Sequence, residues 1–249
     1  MNIIDTTNDP CILDSVNTLK ILDTSIPKII RDFFDTIPAF KMIIGTETFS
    51  TWTYNPSYNN YNAPHGGETI GTIHSDTFNV RINKYYNKAT DLAIAATIIH
   101  EAFHCQLINW VRRVELLGDT AQKNELARKY GFIFERGLVA SDNNLIYVIA
   151  NAPITVQHQT MANNFINEIA AALKNFGDKK GISAPIDYYK KLAWSGCIDS
   201  KAFETLDNIS QNEIRKVIFA EKDPASQKLD PDGTPLNSTF TTPKGHRCP

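Results

Sequence analysis

The chain has 249 residues, 42% of them hydrophobic, with 25 Lys+Arg against 27 Asp+Glu and a formal net charge of −2. That length suits one large domain, or one domain with appendages, and supplies enough apolar residues to bury a core. The charge balance gives no basic stripe for nucleic acid, no apolar run reaches the ~18 residues of a membrane span, and MNIIDTTNDP has no Sec-type signal character.

The expectation from these features is a protein of the cytoplasm, or one exported by a route independent of a signal peptide. Cys11, Cys105, Cys197 and Cys248 are scattered without a CxxC pair, and read as free thiols.

In chain order, residues 11–35 predict one or two short helices. Ile12, Leu13, Val16 and Leu19 follow a 3.6-residue period, and Ile26, Ile29, Ile30, Phe33 and Phe34 resume it after a break, with Pro27 suited to a first helical turn. Phe40–Trp52 reads as a strand. Residues 51–68 interleave Asn and Tyr ahead of Pro64-His65-Gly66-Gly67, which predicts a long surface loop. Thr69–Tyr85 alternates around Phe78, Val80 and Ile82 and predicts one or two strands.

From residue 90 the pattern becomes helical. Thr90 or Asp91 can cap a helix running to about Leu117, stopped by Gly118, and a second follows from Asp119 to about Tyr130. Phe132–Val156 is ambiguous between strand and helix. Gln157–Phe176, closed by Gly177, then Ile186–Trp194 and Ser200–Phe219 complete the helices. Residues 221–249 are rich in proline and poor in large apolar side chains, and predict a weakly structured tail. The composite is α+β. Residues 1–220 form one domain, with a helical segment over 1–35, sheet and loop over 36–85 and a helical body over 86–220.

The informative string is His100-Glu101-Ala102-Phe103-His104, an H-E-x-x-H pattern inside a segment that periodicity already makes a helix. Residues four apart stack on one helical face, so His100 and His104 can share a metal ion. Zinc takes His nitrogens at about 2.0–2.1 Å in a tetrahedral shell, which two such residues half-fill. Glu101, turned about 100° away, lies beside the ligands, where it can take a proton from an attacking water and pass it to a leaving amine.

A catalytic zinc site needs a third protein ligand. The metzincin continuation is excluded, because Leu107 and Trp110 stand where Gly and His would be required. His158 shares a face with Met161, Ala162, Phe165 and Ile169, so it points toward other helices and is the preferred third ligand. Glu125, twenty-one positions after His104, is the alternative, at a spacing close to that of Glu-zincins.

The oxyanion donor stays open among Tyr188, Tyr189 and Tyr147, with His65 or His74 behind them. Thr77–Ile82 offers a sheet edge for an extended substrate, the 51–68 loop a cover for the cleft, and Cys248 a thiolate that can block the metal's open position.

Thr97–His104, His158-Gln159-Thr160-Met161-Ala162, Leu192-Ala193-Trp194-Ser195-Gly196 and the opening Asn8-Asp9-Pro10-Cys11 together resemble a bacterial zincin family. That family is loosely grouped with SprT-like peptidases and seen in Bacteroidetes, often at the C-terminal end of large toxin-type or secreted polypeptides. The resemblance spans roughly residues 8–210. It implies a zincin-like fold with the HExxH helix central, Zn2+ held by His100, His104 and His158, and Glu101 as the catalytic carboxylate. It further implies a protein or peptide substrate, and a role as effector or processing module of a larger parent polypeptide or delivery machine. Gln159 and Cys197 depart from the family, which commonly has an acidic residue and Leu there.

A zincin-fold binding module using the Tyr/Asn loop and the sheet edge is the alternative function. A DNA-linked repair protease is disfavoured by the charge balance and by the 53 residues between His104 and His158. The expectation includes neither a nucleic-acid nor a membrane partner.

Overall fold

The computed structural model describes residues 2–21, 41–47, 66–71, 74–84, 89–115, 117–121, 123–124, 154–222 and 241–248. The expected helix around Ile26–Phe34, most of the 51–68 loop, the helix beyond residue 124 and nearly all of Phe132–Val156 lie outside them.

The architecture is α+β, a four-stranded sheet against a mostly helical body. Strand β1 (Asn2–Asp5), which the sequence pattern did not suggest, leads through helix α1 (Pro10–Ile21) to β2 (Lys41–Glu47). Asp9 caps α1, its carboxylate accepting from the main-chain N–H groups of Cys11 at 2.9 Å and Ile12 at 3.1 Å, with Pro10 in the first turn. Strands β3 (Gly67–Ile70) and β4 (Thr77–Asn83) follow.

The sheet order is β1-β2-β4-β3. The first three strands run parallel and β3 pairs antiparallel to β4. Met42 and Ile44 of β2 and Phe78, Val80 and Ile82 of β4 bury one face of the sheet, while Lys41, Ile43, Asn79 and Arg81 line the other, as a period of two requires.

Helix α2 (Asp91–Glu115) covers the buried side. Every residue from 91 to 110 is buried, because α2 packs on β3 and β4, on α1, and on the later helices. A helix apolar nearly all round can lie only in a core. Thr90 caps it, its hydroxyl accepting from Ala93 N at 3.2 Å. No helix among the described residues is long and apolar enough to cross a membrane.

The helix expected over Gln157–Phe176 is two: α3 (Ile154–Asn164) and α4 (Ile166–Lys179), broken at Phe165, where φ is −129° and ψ is 3°. Phe165 is buried against α2, its ring 5.3 Å from Phe103 and 5.9 Å from Trp110. Gly177 does not end the helix as expected. It lies inside α4, where a Cβ would fall 2.1 Å from the hydroxyl of Tyr189, so its missing side chain makes room for α5 (Ile186–Ala193).

The helix expected over Ser200–Phe219 is likewise two, the short α6 (Lys201–Glu204) and α7 (Asn208–Lys222). Ser200 caps α6, and Asp207 accepts from Ser210 N at 2.9 Å ahead of α7.

One further expectation is corrected. Cys11 and Cys248 are joined in a disulfide, leaving Cys105 and Cys197 as buried free thiols. The described parts of the tail are held in place: Glu221 and Lys222 complete α7, and residues 241–248 are fastened to the start of α2.

Phe165→Ala should cost about 3–5 kcal/mol of stability, through lost apolar burial and the cavity left behind. A lower denaturant midpoint with an unchanged slope is the expected result in equilibrium unfolding.

Candidate metal centre

Three elements converge on one point. Two residues of α2, one turn apart, set the imidazoles of His100 and His104 together, their Nε2 atoms 3.0 Å apart. From α3, His158 brings its Nε2 to 3.3 Å from that of His100. All three residues are buried, and their ligand atoms lie within 4.8 Å of one another, a group able to hold a metal ion.

The other ring nitrogens fix how these rings are turned. His104 Nδ1 lies 2.6 Å from Gln157 Oε1, an oxygen that can only accept, so Nδ1 carries the proton. His158 Nδ1 lies 2.7 Å from Asp199 Oδ1 and donates to it in the same way. The Nε2 lone pairs of both residues therefore face the common centre. Nitrogens set tetrahedrally at 2.0–2.1 Å from one ion are about 3.3–3.4 Å apart, close to the observed 3.0 and 3.3 Å. The donor set is one that could hold a metal ion.

Asp199 and Gln157 were not foreseen as site residues. Gln157 was detectable in principle, being adjacent to His158 in sequence. Asp199 lies forty-one positions away, in the turn between α5 and α6, and nothing in its local pattern marks it. It supplies the carboxylate beside His158 that Gln159 cannot, while Gln159 instead accepts from Ala202 N at 2.9 Å and ties α3 to α6.

The same turn presses on the centre from another side. Gly196 has φ +90°, and a Cβ there would fall 2.6–2.8 Å from atoms of the His100 ring. Only glycine allows both that backbone conformation and that approach.

Glu101 is buried next to the histidines. Thr69 of β3 places its hydroxyl 2.7 Å from Glu101 Oε2 and 3.1 Å from the Glu101 main-chain oxygen. Burial pushes the Glu101 carboxyl up to about 7, against the downward pull of the Thr69 hydrogen bond; nearby Glu68 raises it and Lys222, at the end of α7, lowers it. Burial pushes Lys222 down to about 8, with Glu101 opposing. Cys105 and Cys197, on either side of the centre in sequence, are fully buried thiols whose pKa burial raises, so neither is a thiolate there.

The remaining candidates are placed elsewhere. Tyr188 donates to Glu221, and Tyr189 to the carbonyl of Ile182 at 3.2 Å, so both hydroxyls have other partners. Glu125, Tyr147 and His65 lie outside the described residues. Cys248 cannot offer a blocking thiolate while bonded to Cys11. The segment Thr77–Ile82, expected as a free sheet edge, belongs to β4 and is paired on both sides; the edge beside α2 is β3. Compared with known proteins, the chain matches no family model, no curated protein and no solved structure.

Removing the acceptor behind His158 with Asp199→Ala should weaken metal binding by about 10–100-fold, as loss of an outer partner typically does. Gly196→Ala should weaken it further by displacing His100. Competition against a chromophoric chelator measures both, and far-UV circular dichroism should be unchanged for Asp199→Ala.

Proposed function

We propose that the protein is a zinc-dependent hydrolase of peptide bonds, acting on a protein or peptide substrate. The observation that carries this reading is the arrival of His158 Nε2, from a separate helix, at 3.3 Å from Nε2 of His100, itself paired with His104 on α2. A carboxylate without metal-ligand geometry stands beside them. A zinc ion held by His100, His104 and His158 would supply Lewis acidity and bring the pKa of water within reach of a neutral-pH base.

Glu101 is that base. Its carboxyl is held near 7 by burial and aligned by the Thr69 hydroxyl on Oε2. A group with such a pKa takes a proton from water and returns it to the departing amine at neutral pH with little penalty in either direction. Asp199 and Gln157 keep the imidazoles in the tautomer that points Nε2 inward.

The substrate class follows from the sheet. Among the described residues β3 is the edge strand, and it lies against the metal helix through Thr69 and Glu101, so its outer side offers main-chain groups beside the centre. An extended peptide pairing there places successive carbonyls along the site.

The purified protein is expected to carry about one zinc per chain, measured by atomic emission. Glu101→Gln should keep that metal yet lower peptide cleavage by about 10²–10⁴-fold, the usual worth of a general base. Cleavage by Glu101→Gln at the parent rate would sink the proposal. His158→Ala should lose both metal and activity.

A further inference from the structure

The eight residues 241–248 form a surface strap across the N-terminal end of α2, and none of them is buried. The strap is held by polar bonds and one covalent link. Asp91 N donates to His246 O at 2.9 Å, His246 N returns a bond to Asp91 Oδ1 at 2.8 Å, and Arg247 bridges Thr90. Lys244 N and Gly245 N donate to the carboxylate of Glu221 at 2.6 and 3.2 Å. Beyond them, Cys248 is bonded to Cys11 of α1, with their Cα atoms 5.6 Å apart.

We propose that the Cys11–Cys248 disulfide is a redox latch: its reduction by a dithiol releases the strap and loosens the three-histidine centre. One thiolate of the dithiol attacks the sulfur of Cys248, the less buried partner, and expels Cys11 as a thiolate that takes up a proton. The second thiol of the reagent then attacks the mixed disulfide, freeing Cys248 as a thiol and leaving the reagent as its cyclic disulfide. The protein gains two hydrogens and the dithiol loses them.

Release reaches the centre because the strap completes a buried charge. Glu221 is fully buried, and its four donor groups are Thr90 Oγ1, the Tyr188 hydroxyl, Lys244 N and Gly245 N. Losing the last two leaves a buried carboxylate short of donors, so the surroundings must open to water. Those surroundings are the first turn of α2, the end of α7 and Tyr188 on α5. Helix α5 runs directly into the turn that sets Gly196 against His100 and Asp199 on His158. Without the cross-link a strap that buries no side chain opens by local unfolding.

The strap carries its own reporter, since trypsin cuts after Lys244 and Arg247. In the full-length oxidised protein only two thiols should alkylate after denaturation. Dithiothreitol should speed cleavage at these sites by at least about tenfold, and reoxidation should restore resistance. The metal arm rests on the zinc reading and avoids reductant: the Cys11→Ser/Cys248→Ser variant, checked for native circular dichroism, should bind Zn2+ up to about tenfold more weakly.

Four alkylated thiols in the untreated protein, a strap equally protected after reduction, or unchanged zinc affinity in the variant would each overturn the latch. Failure of the oxidised parent protein to bind zinc would instead overturn the metal reading, and the proteolysis result would then decide the strap alone.

Discussion

A helix enclosed on every side has no water to solvate its polar groups, yet α2 carries His100, Glu101 and His104 within five residues of its buried stretch. Each unpartnered buried polar group costs about 1–3 kcal/mol, and the total stability of a domain is about 5–15 kcal/mol. The partners come from two other elements: Thr69 of the edge strand meets Glu101, while on α3 Gln157 meets His104 and His158 meets His100. A docking of α3 or β3 that buried the same apolar area in another register would leave these groups orphaned. Polar matching therefore specifies the long-range arrangement that apolar burial alone leaves degenerate.

The same constraint explains why the sheet ends as it does. Strands β1, β2 and β4 run parallel, with α1 between β1 and β2 in the chain, while β3 pairs antiparallel with β4 over the short connection 71–76 and lies at the edge among the described residues. At Gly67 a Cβ would meet Thr97 of α2 at 2.8 Å, so the strand begins where its backbone can lie directly on the helix. Two residues on, Thr69 meets Glu101. On the outer face Arg81 of β4 lies between Glu47 of β2 at 2.6 Å and Glu68 of β3 at 3.5 Å, lacing the parallel and antiparallel parts together.

What could be read from the chain was what local periodicity encodes. The central helix, its Thr90 cap, the stacking of His100 on His104 and the inward face bearing His158 all follow from spacings of three, four and seven residues, and the structure has them. What could not be read was set by distant contact. The break at Phe165 has no local breaker; what stands there is a ring packed against Phe103 and Trp110. Gly177 resembles a helix stop until Tyr189 is seen to occupy the space beside it. Cys11 and Cys248 are 237 positions apart, and no spacing rule joins cysteines across nearly a whole chain. Asp199 is one acid among many until the fold sets it on His158.

Among the described residues the carboxylates of Asp91, Glu101 and Glu221 are buried, and the surroundings of the last two differ. Glu221 receives two hydroxyls and two main-chain N–H groups, from α2, α5 and the strap, which occupy the acceptor sites on its oxygens. A carboxylate so saturated joins elements of the fold. Glu101 receives the Thr69 hydroxyl on one oxygen, among the described residues, and burial raises its pKa to about 7. A buried acid with a single hydroxyl donor among the described residues is costly for stability. The contrast between these two buried residues, unequal in partners, supports the proposal that Glu101 is the proton-transfer group.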